Sequence, residues 1–231
     1  MSPDLPAAAP SGLSIQGPAG RLEAIVEEPA AAAAQPAVAA VICHPHPLFG
    51  GTLHNKVVHT LARTLRTGGA ATVRFNFRGV GASEGTHDDG VGETQDALAA
   101  VEWTRRRWPA ASLVLAGFSF GGAVAIQAAG AAEPAWLITV APAVDRVRLE
   151  GLIVPKGEWL VVQGDADDVV APEAVSQWVA LRAPHARLRM LAGVGHFFHG
   201  RLHELQACLR EEWPPSLKGQ EDARTAGPGG S

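Results

Sequence analysis

The 231-residue chain reads as an α/β protein built on a mostly parallel central sheet, with an antiparallel hairpin at its N-terminal side and helices on both faces. Three observations predict this. From Pro36 onward, short apolar runs alternate with longer amphipathic ones, the pattern of successive strand and helix units. Before that point "LSIQ" and "RLEAIVEEP" flank "GPAG", a hairpin signal. The chain is also 47% hydrophobic, enough to fill a sizeable core.

Each element can be justified in order. "AVAAVICHP" is a buried strand. "NKVVHTLARTLRTGG" follows it, with Val57, Val58, Leu61, Ala62 and Leu65 on one helical face and glycine at its end. "ATVRFNFRG" is the next strand, and "GETQDALAAVEWTRRRW" the next helix, stopped by Pro109. Leu113 to Ala116 form a third buried strand, which turns sharply into a helical run from Ala123 to Ala129. "AWLITVAP" and "EWLVVQGD" are two further strands. "PEAVSQWVALRA" is a helix with proline in its first turn, "ARLRMLAG" a last strand and "HGRLHELQACLREEW" a closing helix. Residues 1–12 are expected to be a flexible N-terminus, 13–213 a single domain and 214–231 a disordered, Gly- and Pro-rich tail. No internal repeat interrupts this order.

Composition excludes several classes of function. A formal net charge of -4 provides no basic field for a phosphate backbone, so nucleic acid is not an expected partner. The first ten residues lack a basic segment followed by a long apolar one. No apolar run approaches the roughly 18 to 20 residues of a membrane span. A cytoplasmic protein without membrane contact is therefore expected, either monomer or homodimer. Cys43 and Cys208 fall in a strand and a helix, and they offer neither a disulfide framework nor metal-ligand spacing. His44 and His46, separated by one proline, cannot complete a tetrahedral metal site alone, so no metal is expected.

The chemistry is carried by "GFSFGG". A serine hydroxyl needs a base to remove its proton and donors to hold the oxyanion that it creates. Glycines two residues either side of Ser119 let strand and helix backbones approach closely and expose the hydroxyl at the C-terminal edge of the sheet. The helix start also points unpaired N–H groups at the site, that of Phe120 first. On this scaffold a nucleophilic serine calls for an acid and then a histidine after later strands. "GDADDVVAP" follows one such strand and "VGHFFHG" another.

Together, "HPHPLFGGT", "NFRGVGASEG", "GFSFGG", "GDADDVV" and "GVGHFFHG" make the chain resemble an α/β-hydrolase, in the small, lidless, bacterial esterase-like branch of that superfamily. The resemblance spans Val38 to Trp213. It implies the α/β-hydrolase fold without a cap domain, since only "VDRVRLEGLIVPKG" joins Val144 to Gly157 where lipase-like relatives insert one. It also implies a carboxylesterase acting on short acyl esters, with no cofactor and a small-molecule ester as substrate. Ser119 would be the nucleophile, His196 the base and Asp167 the orienting acid. Asp167 is chosen because Gly164, Asp167 and Val170 match the family's acid loop; Asp165 would cap the turn and Asp168 would serve the loop's hydrogen bonds. His199 is the rival for the base. The oxyanion donors would be the backbone N–H groups of Phe120 and of His46, with Leu48 as the alternative to His46 because Pro45 and Pro47 have no N–H. Phe49, Phe118 and Phe197 would line the substrate site. A peptidase or thioesterase using the same triad, or a catalytically silent binding module, are the competing readings.

Overall fold

A computed structural model describes residues 13–29, 35–148 and 150–212, so the expectations for residues 1–12 and 214–231 fall outside it. β1 (Leu13–Gly17) and β2 (Gly20–Glu27) pair antiparallel around Pro18 and Ala19, with Leu13 opposite Ala24. The units that follow are β3 (Val38–Cys43), α1 (Lys56–Thr67), β4 (Ala71–Phe75), α2 (Val91–Arg107), β5 (Ser112–Phe118) and α3 (Phe120–Ala132). After them come β6 (Trp136–Val140), β7 (Glu158–Gly164), α4 (Pro172–Arg182), β8 (Arg187–Leu191) and α5 (Leu202–Glu212).

The strands form one sheet in the order β1-β2-β4-β3-β5-β6-β7-β8. β2 meets β4 antiparallel, and every pair from β4 across to β8 is parallel. The chain moves outward from β3 to β4 and then crosses back to place β5 on the other side of β3. Such a reversal opens a crevice at the C-terminal ends of the strands, where open α/β sheets bind ligands. Cys43 and Gly117 are register partners at that edge, so the loop after β3 and the turn after β5 begin side by side.

Alternation along the strands divides the apolar side chains between two cores. Ala39, Val41, Cys43, Leu113 and Leu115 pack with α2, α3 and α4 on one face. Val38, Ala40, Ile42, Val114, Ala116 and Phe118 pack with α1 and α5 on the other. Asn55 starts α1 by accepting from the N–H groups of Val57 and Val58, satisfying donors that the first turn leaves open. α2 begins differently. Its cap is Gly90, and the buried Glu93 carboxylate reaches back to accept from the N–H groups of Asp88 and Gly90.

Between β6 and β7 the chain makes a one-turn 3-10 helix at Val144–Arg146 and then a turn. Among the described residues, nothing in this connection could form a cap over the sheet edge. None of the described helices is long and apolar enough to cross a membrane.

Candidate active site

Ser119 occupies the turn between β5 and α3 with φ 55 and ψ −119, a region that costs a non-glycine residue about 1–3 kcal/mol. The surroundings over-determine it. The Ser119 N–H donates to Val140 at 2.9 Å, and its carbonyl accepts from Gly122, Ala123 and Ala143. The flanking glycines make the turn possible. A Cβ on Gly117 would lie 2.0 Å from the Gly121 carbonyl oxygen, and one on Gly121 would lie 2.4 Å from the carbonyl oxygen of His44. Both obstacles are backbone, so α3 can seat against the ends of β5 and β3 only without those side chains.

His196 Nε2 is 3.0 Å from Ser119 Oγ, and His196 Nδ1 is 2.8 Å from Asp167 Oδ2. All three residues are buried, so solvent competes little for these contacts. The second carboxylate oxygen of Asp167 accepts from the N–H groups of Val169 at 2.9 Å and Val170 at 2.8 Å. Burial by itself would raise the Asp167 pKa, but the hydrogen bond from His196 and those from Val170 and Val169 outweigh it and hold the group below its ordinary value. The carboxylate is thus kept ionised beside the imidazole.

Two loops are fastened to each other around this pair. The N–H of Gly193 donates to Asp165 at 2.6 Å, and that of Ala166 to the Val194 carbonyl at 3.1 Å. Asp165 therefore ties the acid loop to the turn after β8 instead of capping its own turn. Asp168 does not serve the loop's hydrogen bonds: it is exposed and makes none among the described residues. Asp167 does that work with its second oxygen. His199 is exposed and stacks with Phe197 at 5.7 Å, away from Ser119.

The phenylalanines separate into distinct environments. Phe49 and Phe197 are 82% and 48% exposed at the surface. Phe118 does not line the substrate site, contrary to expectation. Its parity along β5 matches Val114 and Ala116, which turns it into the core beneath the sheet, fully buried, with its ring 5.1 Å from that of His196. It supports the imidazole from below. Phe120 is also nearly buried, its ring 4.7 Å from His46 and 5.9 Å from Phe77.

The N–H groups of Phe120 and His46 have no acceptor among the described residues, whereas that of Leu48 donates to His46 Nδ1 at 3.3 Å. Leu48 is thereby occupied, and of the two candidates in this loop His46 keeps an available N–H.

Sequence reasoning missed Gln163. It is the buried polar residue near the end of β7, and its Nε2 donates to Asp167 Oδ2 at 3.0 Å and to the Val170 carbonyl at 3.3 Å. The signal was present: one amide in the otherwise apolar "WLVVQ". His44 was also underread. It is fully buried, accepts from the Phe77 N–H at Nε2 and donates from Nδ1 to the Pro45 carbonyl at 2.6 Å, joining the ends of β3 and β4. Burial pushes its pKa down to about 4, against a smaller opposing effect of the bond to Pro45.

This yields a pH prediction. Folded His44 binds a proton less readily than the unfolded chain, so its contribution to stability is complete above about pH 6.5 and is lost as the pH falls through that range toward 4. The loss should total about 3 kcal/mol, converting the shift at 1.36 kcal/mol per unit. Urea midpoints at several pH values in that window should fall more steeply for the wild type than for His44→Gln. Parallel slopes would contradict the assignment.

Comparison with known proteins places these features in company. Residues 35–157 match the family model described as serine aminopeptidase, S33. An uncharacterized protein of Rickettsia prowazekii (strain Madrid E) is 33% identical over 208 residues, covering 84% of this chain and 85% of that one. A serine hydrolase without a lid from Xanthomonas campestris is 41% identical with a TM-score of 0.82, covering 93% of this chain and 99% of that one. An α/β serine hydrolase homologue from Coxiella burnetii is 43% identical with a TM-score of 0.83, covering 89% and 98%.

Proposed function

Since this chain belongs to the α/β-hydrolase superfamily, in the family described as serine aminopeptidase, S33, and is a hydrolase of the serine type, we propose that it is a carboxylesterase that cleaves short acyl esters through an acyl-enzyme. The observation that carries this reading is the continuous chain from Ser119 Oγ through both ring nitrogens of His196 to a buried, ionised Asp167.

In this mechanism His196 Nε2 takes the Ser119 proton as Oγ attacks the ester carbonyl. Asp167 keeps the other ring proton on Nδ1 and stabilises the imidazolium. The N–H groups of Phe120 and His46 receive the oxyanion. Collapse of the tetrahedral adduct expels the alcohol, which takes the proton back from His196. Water then repeats the sequence on the acyl-enzyme and releases the acid. Every proton and electron pair is accounted for without a cofactor.

The preference for short acyl groups rests on the openness of the site. Leu48, Phe49 and Phe197 are exposed, and no cap lies above them among the described residues. A methylene contributes about 0.8 kcal/mol only where a wall removes it from water. Rates on 4-nitrophenyl esters should therefore peak between roughly two and six acyl carbons and show no interfacial activation. Rates that rise steadily to twelve carbons would refute the open site. A fluorophosphonate should label the folded protein at Ser119; failure to label would favour a silent binding module.

A further inference from the structure

A shallow, solvent-open depression lies beside Phe120. Its floor is one face of α3, where Phe120, Ala123, Val124 and Gln127 follow helical spacing. Gly90 and Thr94, at the start of α2, form one wall. The connection after β6 forms the other and contributes Arg146 and Arg148.

The polar groups of these walls are engaged, except the two guanidiniums. The Thr94 hydroxyl donates to the Gly90 carbonyl at 2.6 Å, and Gln127 Oε1 accepts from the Arg148 N–H at 3.0 Å. Asp89, the one acidic lining residue, sits 3.4 Å from His87 Nε2. Of the other described arginines, nine (21, 66, 74, 78, 106, 107, 187, 189 and 201) have a carboxylate partner, while four (63, 105, 182 and 210), none of which lines this depression, have none among the described residues. Arg146 and Arg148 have none among the described residues. Both are exposed, but they are the two arginines that line one depression beside the nucleophile turn, and without carboxylate partners among the described residues they are free to receive an anion.

The depression also communicates with the oxyanion loop. The rings of Phe120 and His46 are 4.7 Å apart. After burial, the charge of Arg146 is the next influence that lowers the His46 pKa, which places that guanidinium within electrostatic reach of the loop.

We infer that this depression is a subsite for a carboxylate carried by the substrate, with Arg146 and Arg148 as its partners, so that the preferred substrates are short esters that retain one free carboxylate. A guanidinium presents paired donors that match a carboxylate, and the floor of α3 offers apolar contact for the carbons between. Two arginines and one aspartate leave a single positive charge on the lining, the complement of one carboxylate. The same surplus opposes the ammonium group that an aminopeptidase would have to hold. The inference deepens the proposed esterase reading and relies on it for the position of the reacting carbonyl.

Binding can be measured without turnover. In Ser119→Ala protein, calorimetric titration should show glutarate binding at least tenfold tighter than butyrate, and Arg146→Gln/Arg148→Gln in that background should remove this difference. Equal affinity for the two acids, a difference that survives the double substitution, or tighter binding of inorganic phosphate than of glutarate would each overturn the subsite. In the otherwise wild-type enzyme, the ratio of kcat/KM for 4-nitrophenyl hemiglutarate to that for 4-nitrophenyl butyrate should fall about tenfold on the same double substitution, chiefly through KM. Glutarate selectivity in protein that cleaves neither ester would leave the subsite standing and refute the esterase reading.

Discussion

Ser119→Ala is expected to abolish fluorophosphonate labelling and to lower ester turnover by several orders of magnitude, while the protein remains folded with a stability within about 1 kcal/mol of the wild type. The loss follows because the hydroxyl forms the covalent bond in the proposed mechanism, and among the described residues no other side chain is in hydrogen-bond contact with His196 Nε2 to replace it. Members of such a unit act together, so His196→Ala should cost about as much, and the double variant little more than either alone. His199→Ala should retain turnover, since that ring faces solvent beside Phe197. Stability should be little changed because the backbone bonds to the Val140 carbonyl and from the N–H groups of Gly122, Ala123 and Ala143 hold the turn without the hydroxyl.

A second substitution separates strain from chemistry. Alanine keeps the unfavourable φ of 55, whereas glycine adopts it freely. Ser119→Gly should therefore be as inactive as Ser119→Ala yet unfold at a higher urea concentration, despite the greater chain entropy of unfolded glycine. The comparison needs only ester assays and two denaturation curves. Residual turnover of Ser119→Ala above one per cent of wild type would remove the serine from the role of nucleophile.

The parts that could be read from sequence are those governed by local rules. Strand and helix periods, with the turn signal between β1 and β2, located the strands and α-helices, and the glycines of the elbow announced the close contact between α3 and the ends of β3 and β5. The period of two along β5 also contained the correction to Phe118: its parity with Val114 and Ala116 already turns it away from the cleft. Proximity to the serine in sequence obscured that geometry. Gln163 was harder to recognise, because its role exists only once the acid loop folds back over the end of β7. The depression beside Phe120 joins α2, α3 and the connection after β6, three segments with no common period or motif. Nothing in "VDRVRLEG" indicates that its arginines meet an apolar helix face. Side chains that follow a strand or helix have a direction fixed by their neighbours; those on loops acquire one only from tertiary contacts.

Asp167→Asn is expected to be nearly inactive, losing on the order of ten-thousand-fold in turnover, the scale set by the same change in a well-studied triad. The local contacts show why this site should be so sensitive. One oxygen of Asp167 accepts from the N–H groups of Val169 and Val170, so the asparagine must keep its carbonyl oxygen there. Its amide NH2 then replaces the oxygen that accepts from both His196 Nδ1 and Gln163 Nε2. Donor now faces donor at both contacts. The imidazole can relieve one clash by moving its proton to Nε2, but that tautomer cannot accept the Ser119 proton. Turning the amide over would instead set its NH2 against two backbone N–H groups. Asp168→Asn removes a charge from an exposed side chain that has no partner among the described residues and should stay within about twofold of wild type, as expected of a surface change. Asp165→Asn retains an oxygen able to accept from Gly193 and should keep most of its rate. The decisive measurement is kcat/KM for the three variants, with circular dichroism to verify folding. An inactive, folded Asp168→Asn beside an active Asp167→Asn would move the acid by one residue and overturn the proposed triad.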